Sequence, residues 1–137
     1  ILHLVREEAG PGSTPSPPPL KLTIEDLLEA RRALLTLHMA EPVERYLVGL
    51  VMATRETRGE LAQWIEFGAS PRGTIALDQA ARAVAWLDGR QWVTPEDVQS
   101  VAHDALRHRL ILSFEAEAAG ITANQVIDKL LATVPSA

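Results

Sequence analysis

Four short polar residues each stand directly before an apolar series at helical spacing, and this divides the chain into short helices. Ser70 precedes Pro71 and Thr94 precedes Pro95, while Thr23 and Thr122 are followed three residues later by Asp26 and Gln125. A Ser or Thr side chain accepts from the first N–H groups of a helix, and an acid or amide three residues on returns the bond. Proline at the first helical position gives up an N–H that has no intrahelical partner anyway. Short helices of this kind bury an apolar stripe only by packing against one another.

Five helices follow from this punctuation. The first is expected over 24–38, with Ile24, Leu27, Leu28, Leu34 and Leu35 as its buried stripe. The second is expected over 42–57 with Val43, Leu47, Leu50 and Val51 inside. The third starts after Ser70, carries Leu77, Ala80, Ala81, Val84 and Leu87, and ends at Gly89, a residue suited to a left-handed cap. The fourth starts after Thr94 with Val98, Val101, Ala102, Ala105 and Leu106 on its apolar face. The fifth starts after Thr122 with Val126, Ile127, Leu130, Leu131 and Val134. The stretch LILSFEAEAAG, 110–120, alternates like a strand in its first half and reads as helix in its second. Aromatic residues are only 4 %, which weighs against a sheet protein. The expected fold is all-α, a small helical bundle with at most a short β element from segments near 64–67 and 91–93.

Ahead of the bundle, residues 1–8 read as the end of a helix. Residues 9–19 contain GPGSTPSPPP and read as a linker or loop. Residues 20–137 are then the helical domain. Because Ile1 stands in what reads as a helix end, the chain is expected to be a fragment of a longer protein. The absence of cysteine removes disulfides and thiolate chemistry and suits the cytoplasm. No apolar run is long enough to span a membrane, so membrane insertion is not expected. A net charge of −5 argues against general nucleic-acid binding, and with it against a helix-turn-helix DNA reader.

Arg72 poses the sharpest question about chemistry. It falls in the first turn of the third helix, where unpaired N–H groups already carry partial positive charge and acids are the usual choice. An anion would explain it, because a helix N-terminus and a guanidinium fork both grip phosphate or carboxylate. The plainer account has Arg72 paired with an acid elsewhere on the protein. Other candidates have plain explanations too. His103 and His108 are five apart, not at the spacing of a helical metal pair, and no metal site is expected. Arg107, His108 and Arg109 suit a helix C-terminus and also offer a partner contact. Glu115 and Glu117 read as solvated, and Ser70 has no visible base that would make it a nucleophile. Trp64, Trp86 and Trp92 read as core or interface anchors. No phosphate loop of the GxxxxGK[ST] type occurs in the chain.

GASPRG at 68–73, AWLDGRQWVTPEDV at 85–98 and LRHRLILSFEAEAAGIT at 106–122 together resemble the C-terminal lid domain of the MoxR family of AAA+ ATPases. The resemblance runs from about Leu20 to Pro135, with the magnesium-chelatase ATPase subunits as near relatives. It implies that Arg72 is the sensor-2 arginine, with Ser70 and Pro71 beside it at the nucleotide. It implies ATP and Mg2+ in the full-length parent, with none expected on this fragment, which lacks Walker motifs and should not hydrolyse ATP alone. It implies contacts with the parent's own AAA+ core and with neighbouring subunits of a hexameric ring. A chaperone-like role follows, with von Willebrand factor A domain proteins among the partners. The competing reading is an autonomous helical interaction module that binds protein and no nucleotide.

Overall fold

The computed structural model describes residues 21–56 and 58–136. The helix end expected at 1–8 and the linker at 9–19 lie outside the described residues. The chain divides into two compact units, residues 1–30 and 31–137.

In the first unit the described residues are 21–30, the start of α1 (Ile24–Thr36). Thr23 and Asp26 form the expected capping box. The Asp26 N–H donates to Thr23 Oγ1 at 3.1 Å, and the Thr23 N–H donates to Asp26 Oδ2 at 2.8 Å. That backbone bond from Thr23, with the Thr23 hydroxyl behind it, holds the Asp26 carboxyl below its ordinary range. The stripe expected to be buried is not: α1 has no buried residue, and Ile24, Leu27, Leu28 and Leu35 are exposed. Helical spacing says which residues share a face, and says nothing about whether another element covers it.

The second unit holds the core. After α1 the chain forms β1 (His38–Met39), α2 (Glu41–Ala53), α3 (Glu60–Trp64), β2 (Ile65–Phe67) and α4 (Pro71–Leu87). It continues through β3 (Trp92–Val93), α5 (Pro95–Leu106), a 3-10 turn at Arg107–Arg109, β4 (Ile111–Leu112), α6 (Phe114–Ala118) and α7 (Ala123–Thr133). The architecture is mostly α, as expected. The first expected helix stops at Thr36, because His38 and Met39 leave it as a strand. The second stops at Ala53, and α3 is a helix that the capping pattern does not mark.

The β content is real but paired differently from expectation. The segments 65–67 and 92–93 are both strands, yet they do not pair with each other. β3 lies parallel to β1, with Met39 opposite Val93, and β2 lies antiparallel to β4, with Ile65 opposite Leu112. Each of these strands is too short for its own pattern to specify a partner.

The core is built on α2, α4, α5 and α7. Leu50, Leu77, Val98, Val126, Ile127 and Leu130 are fully buried. Ala81 and Ala85 of α4 and Ala102 of α5 are fully buried too, and small side chains let helices approach closely. α4 ends as the sequence predicts. Gly89 takes a left-handed φ of +74°, its N–H donates to Trp86 O at 2.9 Å, and the Arg90 N–H donates to Ala85 O at 2.9 Å. α7 opens with the reciprocal bonds of Thr122 and Gln125, 2.8 and 3.3 Å.

Candidate functional site

The N-terminal end of α4 carries the residues singled out by sequence. Pro71 is the first helical residue and Ser70 takes the cap position, with extended backbone at φ −75° and ψ 169°. The cap is only half realised. The Ser70 hydroxyl makes no capping bond, while its carbonyl accepts from the Gly73 N–H at 2.7 Å. Ser70, Pro71 and Arg72 are all exposed. Among the described residues neither the Arg72 guanidinium nor the Arg72 N–H has a hydrogen-bond or ion-pair partner. The acid nearest along the helix is taken: Asp78 accepts from Arg82 Nε at 2.8 Å. The plainer account of Arg72, a pairing with an acid elsewhere, therefore finds no such acid among the described residues.

The start of α4 is held from behind. Ala69 is fully buried, and its N–H donates to the hydroxyl of Thr54 at 2.9 Å. Gly73 is buried against the end of α5. A Cβ there would lie 3.2 Å from Ala69 Cβ, 3.4 Å from Leu106 Cδ2 and 3.8 Å from Arg109 Cδ. Arg109 thus packs beside the first turn of α4, its Nη1 donating to Ala105 O at 2.7 Å. The 3-10 turn that carries it serves the end of α5, as helix-end chemistry predicts; within it Arg107 also pairs with Asp104.

Among the described residues the open end of α4 offers donors and no acceptor carboxylate, a chemistry that suits an anion. An open cleft of about 310 Å³ begins two residues further on and is lined in part by Thr74, Ile75 and Asp78. A larger one of about 620 Å³ lies between α3 and α6, lined in part by Ile65, Glu66 and Phe114, and includes none of Ser70, Pro71 or Arg72.

The opposite end of α4 carries the strongest electrostatic network among the described residues. Arg90 grips Asp97 with two bonds, Nη1 to Oδ2 at 2.7 Å and Nη2 to Oδ1 at 2.6 Å, and reaches Asp88 at 3.0 Å. Asp97 is buried and also accepts from the Thr94 N–H at 2.8 Å. The Arg90 bonds hold the Asp97 carboxyl below its ordinary range against the opposing effect of burial, and the same bonds raise the Arg90 pKa. This network joins the turn after α4 to the start of α5 and is structural.

The remaining candidates lie away from the start of α4, and Glu115 lines the larger cleft between α3 and α6. His103 Nε2 lies 2.9 Å from Asp128 Oδ1, linking α5 to α7. Glu115 and Glu117 are exposed. Trp64 packs against the core, whereas Trp86 and Trp92 are exposed. Thr54, which touches the α4 start, was not singled out by sequence, because its contact lies 15 positions away.

The AAA lid domain family matches residues 56–130. Chaperone MoxR1 of Mycobacterium tuberculosis is 36 % identical over 127 residues, covering 90 % of this chain and 34 % of that protein. Protein MoxR of Methylorubrum extorquens is 37 % identical over 108 residues, covering 71 % of this chain and 31 % of that protein. A crystal structure of a protein assigned as an ATPase from Cytophaga hutchinsonii superposes with a TM-score of 0.78 at 38 % identity, over 82 % of this chain and 36 % of that one. The chain thus spans about a third of the length of these relatives (34 % and 31 %). On these matches, and on a helical fold built to the same plan, the chain belongs to the AAA lid domain family, as the lid region of a MoxR-type AAA+ ATPase.

Proposed function

We propose that this lid places Arg72 on the terminal phosphate of ATP bound by the AAA+ core of the parent chain. The observation that carries the reading is the unengaged donor set at the start of α4, the Arg72 side chain and its own N–H, with no acid paired to them among the described residues. A guanidinium beside a helix N-terminus stabilises a multiply charged phosphate by bidentate bonding and by the helix dipole. The same donors cannot ligate Mg2+, so the metal that accompanies ATP belongs to the core. Ser70 and Pro71 set the helix start that aims Arg72, and the free Ser70 hydroxyl offers one more donor.

The consequence is a switch. Arg72 holds the lid to the nucleotide while the terminal phosphate is in place, and the contact weakens once that phosphate has left. A difference in contacts between the two states is what moves the lid, and with it the arrangement of subunits in a hexameric ring. The ring would work as a chaperone on partner complexes in the cytoplasm, von Willebrand factor A domain proteins among them. The test is ATP affinity and steady-state turnover of the parent chain with Arg72 and with Arg72→Ala. A loss of about tenfold in turnover, roughly 1.4 kcal/mol of barrier, is expected. Unchanged turnover and affinity in a folded variant would make Arg72 a structural residue and favour the interaction-module reading.

A further inference from the structure

The segment that delivers Arg72 is pinned at one place by two separate contacts, and both belong to Thr54. Thr54 follows α2 and is buried, with 1 % of its surface exposed. Its hydroxyl is used in both directions. It donates to Val51 O at 2.6 Å and accepts from the Ala69 N–H at 2.9 Å. The second contact is steric. A Cβ on Gly68 would stand 2.2 Å from the Thr54 carbonyl oxygen, 2.6 Å from its carbonyl carbon and 2.7 Å from its Oγ1. Gly68 is therefore the residue that lets the loop backbone lie directly on Thr54.

We infer that Thr54 is a positioning residue for Arg72, fixing the 68–70 loop so that α4 starts at one place and aims the guanidinium in one direction. This rests on the phosphate-contacting role proposed for Arg72. A buried hydroxyl must find partners, and a valine of the same shape would fill the space without accepting a bond. The position thus calls for a hydroxyl in particular, and the group it serves is the N–H one residue ahead of the helix cap. From Ala69 the path to Arg72 is short. The Ser70 carbonyl takes the Gly73 N–H at 2.7 Å, which closes the first turn around Arg72. The Ser70 side chain contributes no capping bond, so the geometry of this turn depends on what holds the loop.

The experiment compares Thr54→Val, Thr54→Ser, Arg72→Ala and the double variant Thr54→Val/Arg72→Ala in the parent chain. Steady-state ATP hydrolysis gives kcat and KM, and hydrogen–deuterium exchange by mass spectrometry follows the peptide covering 66–76. Thr54→Val is expected to lower kcat by about tenfold, while Thr54→Ser stays within about twofold of the wild type. Adding Thr54→Val to Arg72→Ala should lower kcat no further, because a misaimed arginine and an absent one lose the same contact. Exchange at 66–76 should rise by about tenfold in Thr54→Val and stay near wild type in Thr54→Ser.

Thr54→Val turnover equal to wild type beside a deficient Arg72→Ala overturns the inference and leaves the Arg72 reading intact. Full additivity in the double variant, or Thr54→Ser as deficient as Thr54→Val, also overturns it. An Arg72→Ala chain with full turnover defeats the Arg72 reading and the positioning role together, and the exchange data then report only whether Thr54 holds the loop. If Thr54→Val fails to fold, Thr54→Ala, which leaves room for a water on the Ala69 N–H, is read by the same exchange comparison; unchanged exchange there refutes the inference.

Discussion

Replacing Asp97 with alanine is expected to be among the most damaging single changes at the junction between α4 and α5. The buried carboxylate accepts two bonds from Arg90, at 2.7 and 2.6 Å, and one from the Thr94 N–H at 2.8 Å. Loss of the acceptor that serves the start of α5 costs about 1 kcal/mol. The bonds to Arg90 are charge-assisted, but the arginine side chain keeps 25 % of its surface in water and retains Asp88, so their loss is discounted to about 1–2 kcal/mol. The sum is about 2–3 kcal/mol, or a fall in Tm of about 8–12 °C at about 4 °C per kcal/mol for a chain of this size. Asp97→Asn keeps an oxygen for the Thr94 N–H and should fall by about half as much.

The assay is thermal unfolding of the 137-residue chain followed by circular dichroism, from pH 7 down to pH 3. The Asp97 carboxyl sits below its ordinary 3.8 in the folded state, first because of the Arg90 bonds and then because of the Thr94 N–H. A carboxylate with a lowered folded pKa stabilises the fold above its unfolded value, and that contribution fades as pH falls through the folded value. The Tm gap between wild type and Asp97→Asn should therefore be constant from neutrality to about pH 5 and narrow below about pH 4. Arg90, its pKa raised by the same bonds, stays charged throughout and adds no slope. Asp26 and Glu96 are also lowered, so acid destabilises every variant; Asp26 cancels from the gap, and Glu96 enters it only through the minor opposing effect of the Asp97 charge. A gap that widens on acidification, or an Asp97→Ala chain within about 2 °C of wild type at pH 7, would refute the reasoning.

Two further outcomes follow from the packing. Leu77→Ala removes a fully buried side chain from the middle of α4 and is expected to cost about 3 kcal/mol by chemical denaturation, with a cost under about 1 kcal/mol showing that the site collapses instead. Gly73→Ala gains helix propensity but presses on Ala69 at 3.2 Å and Leu106 at 3.4 Å, so stability should change by less than about 1 kcal/mol. On the role proposed for Arg72, the parent chain's ATP turnover should nonetheless fall if relief of these contacts moves the first turn, and a variant with wild-type turnover would show that Ala69 and Leu106 give way instead.

What the sequence made legible depended on how far apart the interacting atoms lie. The starts of α1, α5 and α7 and the end of α4 were readable because capping chemistry is complete within about four to six residues. The apolar faces of α2, α5 and α7 were readable because helical period alone sorts inside from outside once a helix is covered. Coverage itself is a tertiary fact, and so the stripe of α1 was placed inside when Ile24, Leu27, Leu28 and Leu35 stand exposed. Strand pairing failed for a related reason. His38 meets Trp92 and Ile65 meets Leu112, each pair separated by more than forty positions and each strand two or three residues long.

Arg72 joins these two kinds of information. Its place in a first turn was legible, since Ser70 and Pro71 mark the helix start locally. The manner in which that turn is held was not. A serine at the cap normally fixes a helix start by bonding the free N–H groups, which also consumes donors that an anion would need. Here the Ser70 hydroxyl leaves them alone, and the loop is fixed instead from the buried side by the Thr54 hydroxyl on the Ala69 N–H. Rigidity and availability are thereby separated. The backbone is held at Ala69, one residue before the cap, and the Arg72 N–H and guanidinium stay open to the outside. Under the phosphate-contacting role proposed for Arg72, such a division lets the helix end keep its direction and still receive the anion. The contact that achieves it spans 15 positions, beyond the reach of any local pattern.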